Sequence, residues 1–498
     1  MGVLGALCAT IRDVKCGCCI SDRNDEGVVL PYSIAQWDDA ETVERVLRLG
    51  GLLAAGSSVA SVSSVPFGEE GVLSCMAKVS LTYRGTPGPD TIIAKTTPPE
   101  FNNRMLARLF RLFSNEINFY RTNMARTLNV EVPEVYFAHY DAKYNRYILA
   151  MSDVGRPSAD QLIGATAERA CLVINSLANF HAPHFDRVRE AASMGVAGWV
   201  VKLDDDDIDV NDLLAKTFKK GIPFTISELK DPRKWNVPLA EEAEQFLLTL
   251  NENFVALQAA AEPPLESNPG VGVHTTIIHG DPRLDNFFFD PCMLIDFQLV
   301  REATPETDVA YFLCGGSITT DLRRAHELCL IRLYHELLCA LLPTEVAATY
   351  PLHQCVLMYA LKQGTVLAQT CTGKFAELSA RGERTVALVR AMFERGISAC
   401  VDWDGAEMLT RVLQYRTADG RVDWAKLMEP DTAMEVMGER GRAAMALAPD
   451  GPEMTACRAM LTKALEANAK ASRTTAAPMA GDRAALDDVG LEDAPLLQ

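Results

Sequence analysis

Apolar and polar positions along the chain first suggest a small mixed unit, then a long helical one. Val43, Val46 and Leu47 recur at helical spacing behind Asp38 and Glu41, a capping-box-like start, and Gly50 is a stop. Ala77, Val79, Leu81 and Tyr83 then alternate with Lys78, Ser80 and Thr82, the period of a half-buried strand. Phe67-Gly68-Glu69-Glu70-Gly71 ahead of them reads as a turn between two strands, and TIIAK at 91–95 follows another turn. Residues 100–126 read as a helix, with Leu109, Phe113, Glu116 and Tyr120 on one face. VYFAHY at 135–140 and YILAM at 147–151 are further strand candidates. Strands, one helix, then strands suit a small sheet with one helix packed on it. From Pro157 onward helices dominate: 166–182, then a mixed stretch at 186–270, then 321–341, 352–368 and 380–398. Residues 276–300 interrupt them with two short apolar runs. Residues 1–32 hold no sustained period and read as a leader. Beyond about 465 the chain turns Ala-, Asp- and Gly-rich and reads as a disordered tail.

Composition narrows the classes. The 498 residues are 48% hydrophobic and 23% charged, which are globular proportions with room for several domains. The formal charge of −18 argues against nucleic acid, whose phosphates need a basic footprint, and against anionic membrane by charge alone. No apolar run reaches transmembrane length, and the N-terminus lacks the basic region of a secretory signal. Fourteen cysteines in so long a chain do not make a disulfide scaffold. Those at 329–339 read as buried free thiols, which implies a reducing compartment. Gly2 with Cys16, Cys18 and Cys19 leaves weak lipid anchoring open, although Ala6 stands where a myristoylation signal has Ser or Thr. The localisation read from this is cytoplasmic, with a membrane-associated fraction if the leader is acylated.

The chemistry concentrates in IIHGDPRLDNFFFDPCMLIDFQ at 277–298. It holds His279-Gly280-Asp281, then Asn286 five residues after Asp281, then Asp296-Phe297-Gln298. Phosphoryl transfer needs a carboxylate for the acceptor hydroxyl and hard oxygen ligands for magnesium. An Asp, an Asn five residues on and an Asp opening a second short strand supply those groups, in the H-x-D-x4-N plus D-F-x pattern of kinases. Upstream, Ile92-Ile93-Ala94-Lys95 has the form of the strand whose lysine holds phosphates. Glu116 lies on an apolar helix face, where a charge is costly unless paired, and Lys95 is the natural partner. The alternative for both is two unrelated surface charges.

With these motifs the chain resembles the aminoglycoside phosphotransferase superfamily, nearest its choline-kinase-like and ecdysteroid-kinase-like branch. The resemblance rests on IIAK at 92–95, NEINFY at 115–120, ILAMSDV at 148–154, LANFHA at 177–182, HGDPRLDN at 279–286, IDFQ at 295–298 and DVAYFL at 308–313. It implies an α+β, bilobal protein-kinase-like fold: a small N-lobe antiparallel sheet with one helix, and a larger, mainly helical C-lobe. The N-lobe would span 33–154 and the C-lobe 155–400, with the catalytic loop at 277–298. A helical extension at 401–464 and the tail at 465–498 would follow. Asp281 would receive the acceptor hydroxyl, and Asn286 and Asp296 would hold magnesium. Lys95 and Glu116 would anchor phosphates. Residues 149–154, with Met151 and Asp153, would form the hinge that faces adenine. His279 would brace the loop through hydrogen bonds. Three departures stand out. Gln298 replaces a Gly, Ser152 replaces an acidic hinge residue, and Gly68 with Gly71 makes only a thin glycine loop.

Arg283 reads either as a group that steadies transition-state charge or as an arginine satisfied by Asp285 or another carboxylate. Asp308 reads as a helix N-cap. The acidic residues Asp204–Asp207, Asp209 and Asp212 read as a solvated loop, with attraction of a cationic substrate as the alternative. His181 and His184 read as core or capping residues rather than a metal pair with Asp186. The acidic dileucine pattern at 492–497 is short enough to arise by chance. The expected function is transfer of the γ-phosphate of ATP, with magnesium, to a small-molecule hydroxyl: an amino alcohol, a sterol-like alcohol, a sugar or an aminoglycoside. The rival is a pseudokinase or lipid-anchored scaffold. The acceptor and the oligomeric state are not encoded in any motif.

Overall fold

The computed structural model describes residues 28–68, 74–200, 210–231, 239–261, 272–370, 382–418 and 422–475. The first helix, α1 (Ala40–Leu49), starts where Asp39 accepts the Thr42 N–H at 3.0 Å. The cap is thus Asp39 and not Asp38, because only Asp39 reaches the free third amide of the helix. Asp38 instead accepts from the Ser64 N–H. Leu30 and Tyr32, expected within the leader, are buried in the same cluster as Trp37, Val43 and Val46.

Five strands follow among the described residues: β1 (Ser58–Pro66), β2 (Cys75–Arg84), β3 (Thr91–Thr96), β4 (Val135–Asp141) and β5 (Arg146–Ser152). They form an antiparallel sheet in the order β1-β2-β3-β5-β4. Alternation divides its two faces. Ile92, Ala94, Ile148 and Ala150 pack with α1, while Ile93, Leu149 and Met151 pack with Phe113 and Ile117 on the other face.

The helix expected over 100–126 is broken. It becomes α2 (Phe101–Leu109) and α3 (Leu112–Arg121), with Arg111 left-handed at φ 53° between them. Ser114 and the Asn115 N–H both donate to the Arg111 carbonyl, which restarts the helix in a new direction. The residues around the break are ordinary helix formers, so the periodicity runs through it unmarked. With α1 on the opposite face, the sheet carries helices on both sides.

The second lobe opens with α4 (Ala167–His181), capped by Thr166. The mixed stretch holds α5 (Val210–Lys230) and α6 (Glu241–Ala261). Two short hairpin-like pairs then lie in the helical lobe: β6 (Thr276–Ile278) with β9 (Arg301–Ala303), and β7 (Phe287–Phe288) with β8 (Met293–Leu294). Helices resume as α7 (Glu306–Cys314), α8 (Thr320–Leu341), α9 (Leu352–Thr370), α10 (Glu383–Asp402) and α11 (Gly405–Val412), then α12 (Pro430–Ala446) and α13 (Pro452–Thr475).

Val412, Trp424, Val436 and Met454 share one core with Ile174, Leu330 and Leu357, so residues 401–464 pack as part of the helical lobe. Helix α13 also runs ten residues past 465, where the composition shift placed the start of the tail. Its Ala-rich sequence is a good helix former, and Leu461 and Ala464 bury its inner face. The architecture is α+β and two-lobed, as the resemblance implies.

Candidate active site

Lys95 is next to last in β3, on the face that carries Ile93 and Leu149. Its Nζ lies 2.8 Å from Glu116 Oε1 on α3 and 2.8 Å from Asp296 Oδ1. Lys95 is 5% exposed and Glu116 1%, so these charges hold one another rather than water. Burial pushes the Glu116 carboxyl up, and Lys95 pulls against it. Burial also pushes Asp296 up, but the Lys95 ammonium and Arg283 more than offset this and leave it below the usual carboxylate value. The reading of Lys95 and Glu116 as unrelated surface charges is therefore wrong.

Gln298, flagged only as a departure, has a definite task. Its Nε2 donates to the second Glu116 oxygen at 3.1 Å, and its carbonyl accepts from Asn115 Nδ2 at 3.2 Å. A glycine there would leave Glu116 Oε2 without that donor. Asp296 itself follows β8 instead of opening a strand. Its left-handed backbone, φ 68°, ends the strand pairing and turns its side chain toward Lys95. The next residue, Phe297, stacks on Phe119 of α3 at 3.6 Å between ring centroids and lies parallel to Phe180 of α4 at 6.3 Å. That stack ties the two lobes behind the triad.

The loop between β6 and β7 carries the other groups. His279 donates or accepts only toward backbone: Nε2 meets the Ile295 carbonyl at 3.0 Å and Nδ1 accepts the Asp281 N–H at 3.2 Å. Asn286 Nδ2 donates to the Asp281 carbonyl at 2.8 Å, which turns its amide oxygen the other way. The Asp281 carboxylate is the least satisfied group here. Its Oδ1 is buried and has no hydrogen-bond partner among the described residues. Arg283 Nε lies 3.7 Å from its Oδ2, too far for a hydrogen bond, and is itself unpartnered. Tyr311 lies near the same carboxylate and favours its charged form. Burial pushes the Asp281 carboxyl above its usual value against the pull of Arg283. Burial likewise opposes the Arg283 charge, and Asp281 more than restores it. The carboxylate nearest Arg283 is thus Asp281 and not Asp285, whose Oδ1 accepts the Gln161 N–H.

Asp308 is not an N-cap. It lies inside the first turn of α7 and accepts the His279 N–H at 2.7 Å, the Gly280 N–H at 2.9 Å and His181 Nε2 at 3.1 Å. Burial pushes it up, but these donors hold it below the ordinary carboxylate value. His181 passes its other nitrogen to Tyr334, so Asp308 clamps the loop to the core of the helical lobe. Asp186 pairs with His274, so His181, His184 and Asp186 form no metal set. Sequence reasoning missed the Asp308 clamp and Tyr311. Their only signal was the DVAYFL motif.

At the hinge, Met151 faces Ile93 across β5 and β3. Asp153 pairs with Lys78 on β2 at 2.7 Å and accepts the Gly155 N–H. Gly68 has φ 77°, and a Cβ there would meet Met76 Cε at 2.5 Å. Gly71, Asp204–Asp207, Asp209, Cys16, Cys18, Cys19 and residues 492–497 lie outside the described residues, and the Asp212 side chain is not described.

The donor set suits one metal ion. Asp296 keeps a quarter of its side chain open and Asn286 offers an amide oxygen. These are hard oxygens, few in number, as magnesium takes when phosphates complete its shell. Among the described residues, no group of three or more His, Cys, Asp or Glu would hold a metal unaided.

Several solved structures are similar. A choline kinase from Cryptosporidium parvum is 10% identical over 73% of this chain and 97% of its own, with a TM-score of 0.44. A Plasmodium vivax ethanolamine kinase is 12% identical over 71% and 85%, with a TM-score of 0.40. The GDP complex of an aminoglycoside 2'-phosphotransferase is 14% identical over 70% and 94%, with a TM-score of 0.39. No curated protein sequence matches. The family profile that matches spans residues 68–344, from the strand pair through the clamp on the loop and beyond. More than half of the chain lies within that match, so the protein belongs to the ecdysteroid kinase-like family, with its bilobal protein-kinase-like fold.

Proposed function

We propose that the protein transfers the terminal phosphate of ATP to a hydroxyl of a small molecule. The observation that carries this is the Lys95–Glu116–Asp296 triad lying near enough to Asp281, with its unpartnered carboxylate oxygen, for Asp296 to act on that carboxyl. Lys95, kept in place by Glu116 and Gln298, would hold nucleotide phosphates. Asn286 and Asp296 would hold magnesium, which when bound neutralises phosphate charge. Asp281 would take the proton of the acceptor hydroxyl as that oxygen bonds the terminal phosphorus and the bond to the leaving diphosphate breaks. Arg283, about a quarter exposed and with a buried Nε that has no hydrogen bond among the described residues, would meet charge developing on the transferred group. Met151 and Asp153 would border the base, and Gly68 with Gly71 would belong to the loop above the phosphates. Catalysis would come from positioning and charge neutralisation. The buried free thiols of Cys171 and Cys457, hydrogen-bonded at 3.9 Å, fit a reducing, cytoplasmic setting.

A thermal shift with ATP and magnesium tests this reading on wild type and on Asp296→Ala. Ligand at 100 times its dissociation constant adds about 2.7 kcal/mol to the folded state. The expected result is a magnesium-dependent shift that the variant loses. No shift in folded wild type would leave the family fold without nucleotide chemistry and favour a scaffold.

A further inference from the structure

Register arranges the inner face of the sheet in rows. Met76, Lys95 and Leu149 oppose one another across β2, β3 and β5. Two residues along, Lys78, Ile93 and Met151 form the next row, about 7 Å away. Lys78 therefore stands on the same face as Lys95. Ile93 and Met151 each keep 8% exposure, whereas Ile92, Ala94 and Ala150 on the opposite face have none, so this row is the less sealed of the two.

Lys78 does not stay over its own strand. Its Nζ reaches Asp153 Oδ2, just beyond β5, at 2.7 Å. Strand β3 lies between β2 and β5. The pair therefore spans two strand spacings, about 10 Å, and crosses β3 beside Ile93. Asp153 is set for this contact because its other oxygen accepts the Gly155 N–H at 2.8 Å. The side chains are 41% and 21% exposed. An ion pair that open adds little to stability and separates easily. Its place across the cleft is not accounted for by fold stability.

We propose that Lys78 and Asp153 form a clasp over the base end of the nucleotide slot, closed in the free protein and opened when a nucleoside base lies against Ile93 and Met151. This rests on the functional reading above. It makes Lys78 a residue that opposes binding, the reverse of Lys95. A site closed part of the time binds more weakly by the fraction closed. Salt weakens a half-exposed pair and so should loosen the clasp.

Adenosine is the probe, because it has a base and no phosphate for salt to screen. Its inhibition constant against magnesium–ATP binding is measured on the full chain for wild type, Lys78→Met and Lys78→Arg. The expected result is about two- to fivefold tighter adenosine binding by Lys78→Met, with Lys78→Arg like wild type. Raising salt should tighten adenosine binding to wild type and leave Lys78→Met unchanged. Equal or weaker binding by Lys78→Met overturns the clasp while the nucleotide site stands. ATP binding that adenosine does not displace overturns the slot assignment. If ATP does not bind wild type, the functional reading fails and takes the clasp with it.

Discussion

The Asp281 carboxyl is raised above its ordinary value of 3.8 by burial, and its buried Oδ1 lacks a hydrogen-bond partner among the described residues. A base must be ionised to take a proton. The acid limb of kcat/KM should therefore fall at a higher pH than an ordinary aspartate would give. Asp281→Asn keeps the size and removes the base, so kcat should fall about 10²- to 10⁴-fold with the melting temperature near wild type. A variant that turned over at about wild-type rate would take Asp281 out of this role. Glu306, at the start of α7, has no part in the site yet is pushed up to about 7 by burial, against the Tyr350 hydroxyl that donates to it. Its folded form favours the proton, so its contribution to stability is full below about 4.5 and lost as pH rises through about 7. Glu306→Gln should then match wild type near pH 5 and exceed it by about 1–3 kcal/mol near pH 8. Urea denaturation at both pH values would show it, and an unchanged gap between them would refute it.

At the level of elements, α3 exists as a separate helix because its first turn restarts at Arg111. That break gives Glu116 its approach to Lys95. Lys95 lies between two carboxylates, and its own charge is sustained by them against burial. Lys95→Met would leave Glu116 buried beside Asp296 with Gln298 as its remaining donor. The cost should be about 3–5 kcal/mol. Replacing Glu116 as well, in Lys95→Met/Glu116→Met, should recover most of it, since removing a whole buried pair is often near neutral. Denaturation of the two variants checks this, and a Lys95→Met protein as stable as wild type would show the triad to be hydrated. The amphipathic pattern over 100–126 revealed the helical face that bears Glu116 but not the break. Side-chain periodicity carries no information about a single left-handed residue between two helical runs.

Over the whole molecule, the helical lobe is one core that includes the last helix. Met454 and Cys457 on α13 are fully buried, and α13 packs on α4 and α8. Met454→Ala should cost about 2–4 kcal/mol of global stability, although it lies far along the chain from the loop at 277–298. A change within about 0.5 kcal/mol would mean that α13 opens independently of the rest. The route from α13 to the site is physical: α4 supplies His181, which holds Asp308, which holds the backbone of His279 and Gly280. Phe297 completes the link to the sheet lobe between Phe119 and Phe180.

The sequence by itself determined the strands with clear alternation and the long helices, and it singled out Lys95, Glu116, Asp281, Asn286 and Asp296, which the structure brings together in two contacting groups. These readings follow from short-range patterns: a two-residue or 3.6-residue period, a five-residue spacing, an acid on an apolar face. Tertiary structure decided the rest. It moved the helix cap from Asp38 to Asp39, turned Asp308 from a cap into a clamp, and gave Gln298 its place against Glu116. It joined residues 401–464 to the helical lobe and carried α13 past 465. It also bridged Lys78 to Asp153 across an intervening strand. Each of these depends on a partner distant in the chain or on one backbone angle, and a local pattern of side chains records neither.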